Sequence, residues 1–320
     1  MTDPDDCLQF AAYGGPGWSA RTTPLRAEIG SIWRACGVGN EWGPLREVLL
    51  HRPAAELAAV SDPNAVQMLA RPDPVLVGQQ HDALARAYRE AGVDVHRLAP
   101  VGPPSPNLMF VADLVFMTPE GAILARPAST VRAGEERHVA LRLADLGIPI
   151  LRSLRHTATF EGADAAWLDN ATVLIARGQR TNAQGIAQLS ALLHEMGVDV
   201  IEVALPPGAM HLMGLLRIVD RNLAIAWPGR TPAAALDALR ARGIEIAFLP
   251  DETEASQGMA LNFVTLGPRA IVMPAGNPRT QAFYEGHGIA CTTVAVDELI
   301  KAAGAIGCLT GVLRRETEGR

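Results

Sequence analysis

From Trp42 onward the chain alternates short apolar runs of strand character with longer stretches whose apolar positions recur at helical spacing. The strand-like runs are REVLLHRP, DVHRLAP, GAILARP, ATVLIARG, LAIAWPG, IEIAFLP, RAIVMPAG and TTVAVDEL. Helices are predicted at HDALARAYREAGV, GEERHVALRLADLGI, AQGIAQLSALLHEMGV, PAAALDALRARGI and RTQAFYEGHGI. Each helical pattern runs into a glycine followed by Val or Ile, at Gly92, Gly147, Gly197, Gly243 and Gly288. Glycine there supplies a left-handed C-cap, and the branched residue starts the next strand. Five units of strand, helix and strand, roughly 40 to 55 residues apart, predict an internally repeated α/β architecture rather than two unlike domains. A doubly wound parallel sheet would carry a Gly-rich phosphate loop directly after an early strand, whereas GVGNEWG precedes its strand. Residues 1–40, with AAYGGPGWSARTTP, read as an irregular N-terminal arm. Residues 41–320 read as a single catalytic domain, because PVGPPSPN at 100–107 is too short for a linker and leads straight into a motif.

Composition narrows the picture. At 320 residues, 48% hydrophobic and 19% charged, the chain can bury a substantial core. A net charge of −6 with no clustered Lys or Arg argues against nucleic acid as a partner. The acidic start MTDPDDCLQF lacks the basic region of a signal peptide, and no apolar run is long enough for a membrane span. A cytoplasmic protein without membrane contact is therefore expected. The four cysteines, Cys7, Cys36, Cys291 and Cys308, show neither zinc spacing nor the density of a disulfide framework, so free thiols are expected.

Four segments carry candidate chemistry. In LMFVADLVFMT, Asp113 stands in what reads as an apolar strand, where a lone carboxylate costs several kcal/mol unless a cation or donors satisfy it. A structural salt bridge would suffice there. In TFEGADAAWLD, Glu161 and Asp164 repeat the pattern, and two buried acids in separate strands imply a common cation. In PPGAMHLMGLLRIVD, His211 follows a turn and opens an apolar strand, a place where a solitary histidine is usually structural. In KAAGAIGCLTGVLRRE, Cys308 follows Gly304 and Gly307, which permit a tight loop whose N–H groups can stabilise a thiolate.

Taken in this order, the segments resemble the guanidino-group modifying superfamily of arginine deiminases, dimethylarginine dimethylaminohydrolases and amidinotransferases. The resemblance runs from GNEWGPLREVLLHRP to GCLTGVLRRE. It implies a five-bladed pseudo-symmetric α/β propeller, a pentein, with a small guanidino compound as substrate and no metal or cofactor. FVAD matches the family's FVxD, making Asp113 one grip on the guanidinium, and EGAD matches EGGD, making Glu161 the other. Asp164 then organises the loop, His211 transfers protons and Cys308 is the nucleophile. Arg132 and Arg180 fall where relatives bind the substrate α-carboxylate, a task that suits the guanidinium fork. Asn107 falls where a contact to the polar end of the substrate is expected. Two departures matter. Met213 stands where deiminases carry an acid, which favours a substituted guanidinium nitrogen, and Ala112 precedes Asp113 where some relatives carry an acid. The first tilts the reading to a dimethylarginine-type hydrolase and the second counts against assignment to an exact subfamily, with an amidinotransferase and a non-catalytic binder of arginine-like ligands as alternatives. The number of subunits stays open, a homo-oligomer included.

Overall fold

The computed structural model describes residues 8–316; Cys7 lies outside them. In the first unit β1 (Leu45–Leu50) and β2 (Asp94–Arg97) pair in parallel across α1 (Pro74–Glu90). The second adds an antiparallel partner: β3 (Val115–Thr118) and β4 (Gly121–Leu124) form a hairpin, and β4 pairs in parallel with β5 (Ile150–Ser153) across α2 (Glu136–Asp145). The third unit repeats this order with β6 (Ala165–Asp169), β7 (Thr172–Arg177), α3 (Ala183–Glu195) and β8 (Asp199–Ala204). The fourth does so with β9 (Leu216–Asp220), β10 (Leu223–Ala226), α4 (Ala233–Arg240) and β11 (Glu245–Phe248). The fifth comprises β12 (Val264–Gly267), β13 (Ala270–Pro274), α5 (Pro278–Gly286) and β14 (Ala290–Val294). The last strand, β15 (Gly311–Arg315), returns antiparallel to β1 and gives the first sheet the order β15-β1-β2. The two ends of the chain thus complete one blade between them. The result is the expected five-bladed pseudo-symmetric α/β propeller.

The glycine punctuation explains how each helix hands over to its strand. Gly92, Gly147, Gly197, Gly243 and Gly288 have φ of 76°, 72°, 72°, 68° and 72°, a left-handed geometry that glycine adopts without a Cβ penalty. The next residue in each case donates its N–H back into the last helical turn, as Val93 does to Tyr88 and Ile148 to Leu143, at 2.9 Å in both. This is the Schellman arrangement, and Val93, Ile148, Val198, Ile244 and Ile289 are all buried beneath it. At the other end of α1, the Asp73 carboxylate accepts from the Val75 and Leu76 amides, with Pro74 in the first turn. Neighbouring blades lock together through aromatic packing: Phe116 stacks on Trp167 at 5.7 Å, and the indole N–H donates to Met117 O at 3.1 Å.

Among the described residues before β1 the arm has only short helical turns, Ala11–Tyr13 and Leu25–Glu28. It docks from Arg34 onward, where Arg34 N–H reaches Gly147 O and Gly37 N–H reaches Leu313 O, both at 3.0 Å. Among the described residues no helix is long and apolar enough to cross a membrane.

Gly162 shows how closely the loops at the centre pack. A Cβ added there would sit 2.4 Å from Ala112 O and 2.5 Å from Val115 O, and neither backbone atom can swing aside. Gly162→Ala should therefore lower the unfolding free energy by about 1 to 3 kcal/mol in urea titration. Gly286→Ala, with nothing within 4 Å of its added Cβ, should be neutral or mildly stabilising. Equal midpoints for both variants would refute this account of the packing.

Candidate active site

Each blade enters its outer hairpin strand through a loop, and each loop brings one polar side chain to the centre. Asp113 precedes β3, Glu161 precedes β6, His211 precedes β9, Asn262 precedes β12 and Cys308 precedes β15. The local backbone corrects three expectations. Asp113 lies in the 3-10 turn Val111–Asp113 and not in a strand, and His211 sits ahead of the turn Leu212–Gly214 and does not open β9. Cys308 lies in a single helical turn, α6 (Ile306–Leu309), where a tight glycine loop was expected. The reason is geometric. A strand would aim these side chains at a sheet face already filled with apolar groups, whereas a turn at its mouth lets them point along the axis.

All five side chains are buried, and their contacts form two groups. His211 Nε2 lies 2.7 Å from Glu161 Oε2, and its Nδ1 lies 3.9 Å from Asp113 Oδ1. Arg132 Nη1 donates to Asp113 Oδ2 at 2.6 Å and stands 3.9 Å from Glu161 Oε2, while its Nη2 lies 2.8 Å from Glu135 Oε2. Arg180 Nη1 approaches Glu161 Oε1 at 3.4 Å. The Cys308 sulfur accepts from Asn262 Nδ2 at 3.0 Å, and the Cys308 N–H donates to Asn262 Oδ1 at 3.1 Å. One atom stands out: Asp113 Oδ1 is buried and has no hydrogen-bond partner.

Two cavities meet at Cys308 and His211. The smaller, about 20 Å³, is polar, with Asn107, Asp113, Arg132 and Arg180 on its walls. The larger, about 250 Å³, is lined by Met210, Met213, Met259 and Trp227.

The charges settle each other. Burial works against an ionised Glu161, but the His211 hydrogen bond, with Arg132 and Arg180 beside it, holds its pKa well below the usual range. Burial likewise opposes a charged His211, and the carboxylates of Asp113, Asp164 and Glu161 outweigh it, raising the imidazole to about 9. Burial and the nearby Asp113 push the Cys308 thiol up, opposed by the Asn262 hydrogen bond, the backbone and Arg217. Asp164 is raised to about 6, mainly by burial.

The structure gathers Asp113, Glu161, His211 and Cys308 as the sequence reading expected, and sorts the remaining residues by what they touch. Asp164 accepts from Thr181 Oγ1 at 2.6 Å and Leu212 N–H at 3.2 Å, so it fixes the His211 loop and forms no part of either cavity wall. Asn107 lines the polar cavity while its amide donates to Val66 O at 2.8 Å. Met213 lines the apolar one. Arg132 differs from its expected form as a free fork: Asp113 and Glu135 bind it, and its Nη2 reaches the carbonyls of Asn107 and Phe110 at 3.4 Å. It is therefore the cation that the two buried acids required. Asn262 escaped the sequence reading, although ALNFVTLG stands before its hairpin just as FVADLVF stands before its own.

Fold and site together define a pentein with a cysteine, a histidine and paired carboxylates on its axis. The sequence model of the family described as arginine deiminase matches residues 100–235. N(G),N(G)-dimethylarginine dimethylaminohydrolase of Pseudomonas aeruginosa is 27% identical over 266 residues, covering 83% of this chain and 98% of that protein. The enzyme of the same name from Streptomyces coelicolor is 27% identical over 273 residues, covering 85% and 98%. A dimethylarginine dimethylaminohydrolase solved as an adduct with 4-chloro-2-hydroxymethylpyridine superposes with a TM-score of 0.70 at 25% identity, over 85% of this chain and all of that one. An amidinotransferase from Microseira wollei shares the fold, with a TM-score of 0.71 at 17% identity over 88% and 98% of the two chains. Along most of its length the chain is thus similar to enzymes of the guanidino-group modifying superfamily.

Two measurements check the electrostatics. Asn262→Leu removes a donor to sulfur, so the pH at which Cys308 alkylates half-maximally with iodoacetamide should rise in a protein whose other cysteines are serine. An unchanged profile would deny Asn262 this role. His211 is raised from 6.5 to about 9, so its protonated form stabilises the fold fully below pH 6.5 and that stabilisation is lost as pH climbs through 9. The unfolding free energy should fall across that window, and His211→Gln should flatten the decline.

Proposed function

We propose that this chain hydrolyses a carbon–nitrogen bond of an arginine-type guanidinium, most readily one substituted on its terminal nitrogen, through a covalent thiouronium on Cys308. The observation that carries this reading is the orphaned, buried Asp113 Oδ1 close to Glu161, in a cavity that also exposes the Cys308 thiol. A buried acceptor without a donor is costly, and a planar cation with several N–H groups relieves it. Asp113 and Glu161 would hold the guanidinium with its central carbon against the sulfur, which supplies orientation.

The protonation states fit the chemistry. Burial keeps the resting Cys308 as a thiol, and the arriving cation lowers that barrier so that its proton leaves to solvent. The thiolate adds to the central carbon to form a C–S bond. His211, protonated at neutral pH, gives its proton to the departing amine as the C–N bond breaks. The now neutral imidazole takes a proton from water, whose oxygen adds to the thiouronium carbon. The C–S bond then breaks, releasing a ureido product, citrulline when the substrate is arginine or a methylated arginine. No step calls on a metal, because the substrate brings its own positive charge.

The methionine-lined cavity favours a substituted departing nitrogen. Methyl groups on that nitrogen would meet Met213 instead of the acid that deiminases carry, and would lie beside His211. The same cavity, at about 250 Å³, has room for an amine acceptor in place of water, which keeps the amidinotransferase reading as the second one. Incubation with dimethylarginine, with and without glycine or ornithine, separates the two: ureido product throughout supports hydrolysis, and a new guanidino product supports transfer.

Cys308→Ala should abolish turnover with the fold intact, while Cys36→Ser and Cys291→Ser retain it. Arg180 is the half-buried arginine of the polar cavity and the better placed to bind a substrate carboxylate. Arg180→Ala should raise KM for an α-amino acid substrate and lower kcat/KM by about one to two decades, with kcat less affected. Agmatine, which lacks the carboxylate, should be a poor substrate and lose little more in that variant. Arg132→Ala should behave differently, because it leaves Asp113 and Glu135 buried without their cation; a stability loss of about 3 to 5 kcal/mol is expected. Agmatine outperforming dimethylarginine would overturn the carboxylate assignment.

A further inference from the structure

The ring of loops has a second face. Ala112, Gly162 and Gly307 are the chain neighbours of Asp113, Glu161 and Cys308, and they line a separate cavity of about 80 Å³ in the axial channel. No residue in the family resemblance accounts for what this cavity contains: two arginines, Arg217 of β9 and Arg315 of β15, and one carboxylate, Glu41. Arg315 is 4% exposed; its Nη1 donates to Gly43 O at 2.8 Å, and its buried Nε has no acceptor among the described residues. Arg217 is half-buried, with its guanidinium 5.5 Å from the Phe263 ring centre and one donor on Phe263 O. Glu41 accepts from the Trp167 N–H at 3.1 Å, and among the described residues neither arginine has a carboxylate within 4.0 Å.

We propose that this channel cavity binds a small monovalent anion, of the chloride or formate class, between Arg217 and Arg315. Two guanidinium groups against one carboxylate leave a net charge of +1 in a low-dielectric cavity, which one monoanion neutralises. The buried Nε of Arg315 is a donor without a partner among the described residues, and the Arg217 fork, with one donor used on Phe263 O, supplies others. Burial depresses both arginines below their ordinary range, to about 10 for Arg315, as expected where positive charge lacks its counterpart. The size of the cavity excludes nucleotides and larger polyanions.

Crystals of the full chain soaked in sodium bromide should show an anomalous peak between Arg217 and Arg315. In solution, chloride should raise the melting temperature saturably relative to gluconate at matched ionic strength, by about 2 °C at ten times its Kd. Glu41→Gln, which takes away the competing charge, should tighten chloride severalfold, an increase that a purely structural role for Glu41 would not produce. Arg315→Gln should abolish the saturable rise. A bromide map empty at this position, or chloride and gluconate acting alike on the wild-type chain, would overturn the proposal, and neither measurement depends on a variant that folds.

Discussion

Everything at the centre of this protein depends on keeping three carboxylates, Asp113, Glu135 and Glu161, buried at once. Carboxylates so close repel one another and draw protons, and Arg132 opposes this by bonding to two of them and standing 3.9 Å from the third. His211 supplies the remaining positive charge at Glu161. With Glu161 held charged, the imidazole is raised to about 9, and the thiol beside Asp113 is pushed up. The site is thus biased towards a charged imidazole beside an un-ionised thiol.

The propeller makes such a cluster affordable in structural terms. Each of five similar units places one side chain on the axis from the mouth of its first strand, so residues far apart in sequence meet at the centre. Because β15 completes the sheet begun by β1, Cys308 is carried on the segment that closes the ring. Its thiol therefore reaches the other axial residues only when the ring has closed.

Much of this was legible in the sequence. The five Gly-Val and Gly-Ile pairs mark the helix ends because a Schellman turn demands both a left-handed residue and a buried apolar one after it, and both demands appear as residue types. Asp113, Glu161, His211 and Cys308 were legible because charge and sulfur are conspicuous among apolar neighbours. The partnership of Arg132 with Asp113 was not, since pairing is a property of spatial approach, and an arginine in a loop reads the same whether it is free or buried. Asn262 was missed for a related reason. A neutral amide carries no signal of its own, and only its place before β12, equivalent to that of the other four, gives it away once the blades are aligned.

The backbone neighbours of the reactive residues explain why one ring of loops can serve two cavities. A turn that aims Asp113, Glu161 and Cys308 at the substrate side must present Ala112, Gly162 and Gly307 to the other. The far side is left with small residues, and with space that Arg217 and Arg315 enter from β9 and β15. Arg217 also favours the thiolate form of Cys308 through this thin partition. The two faces are therefore coupled by charge although they share no opening at the sulfur: whatever sets the electrostatic potential of the channel also sets part of the ionisation cost of the nucleophile.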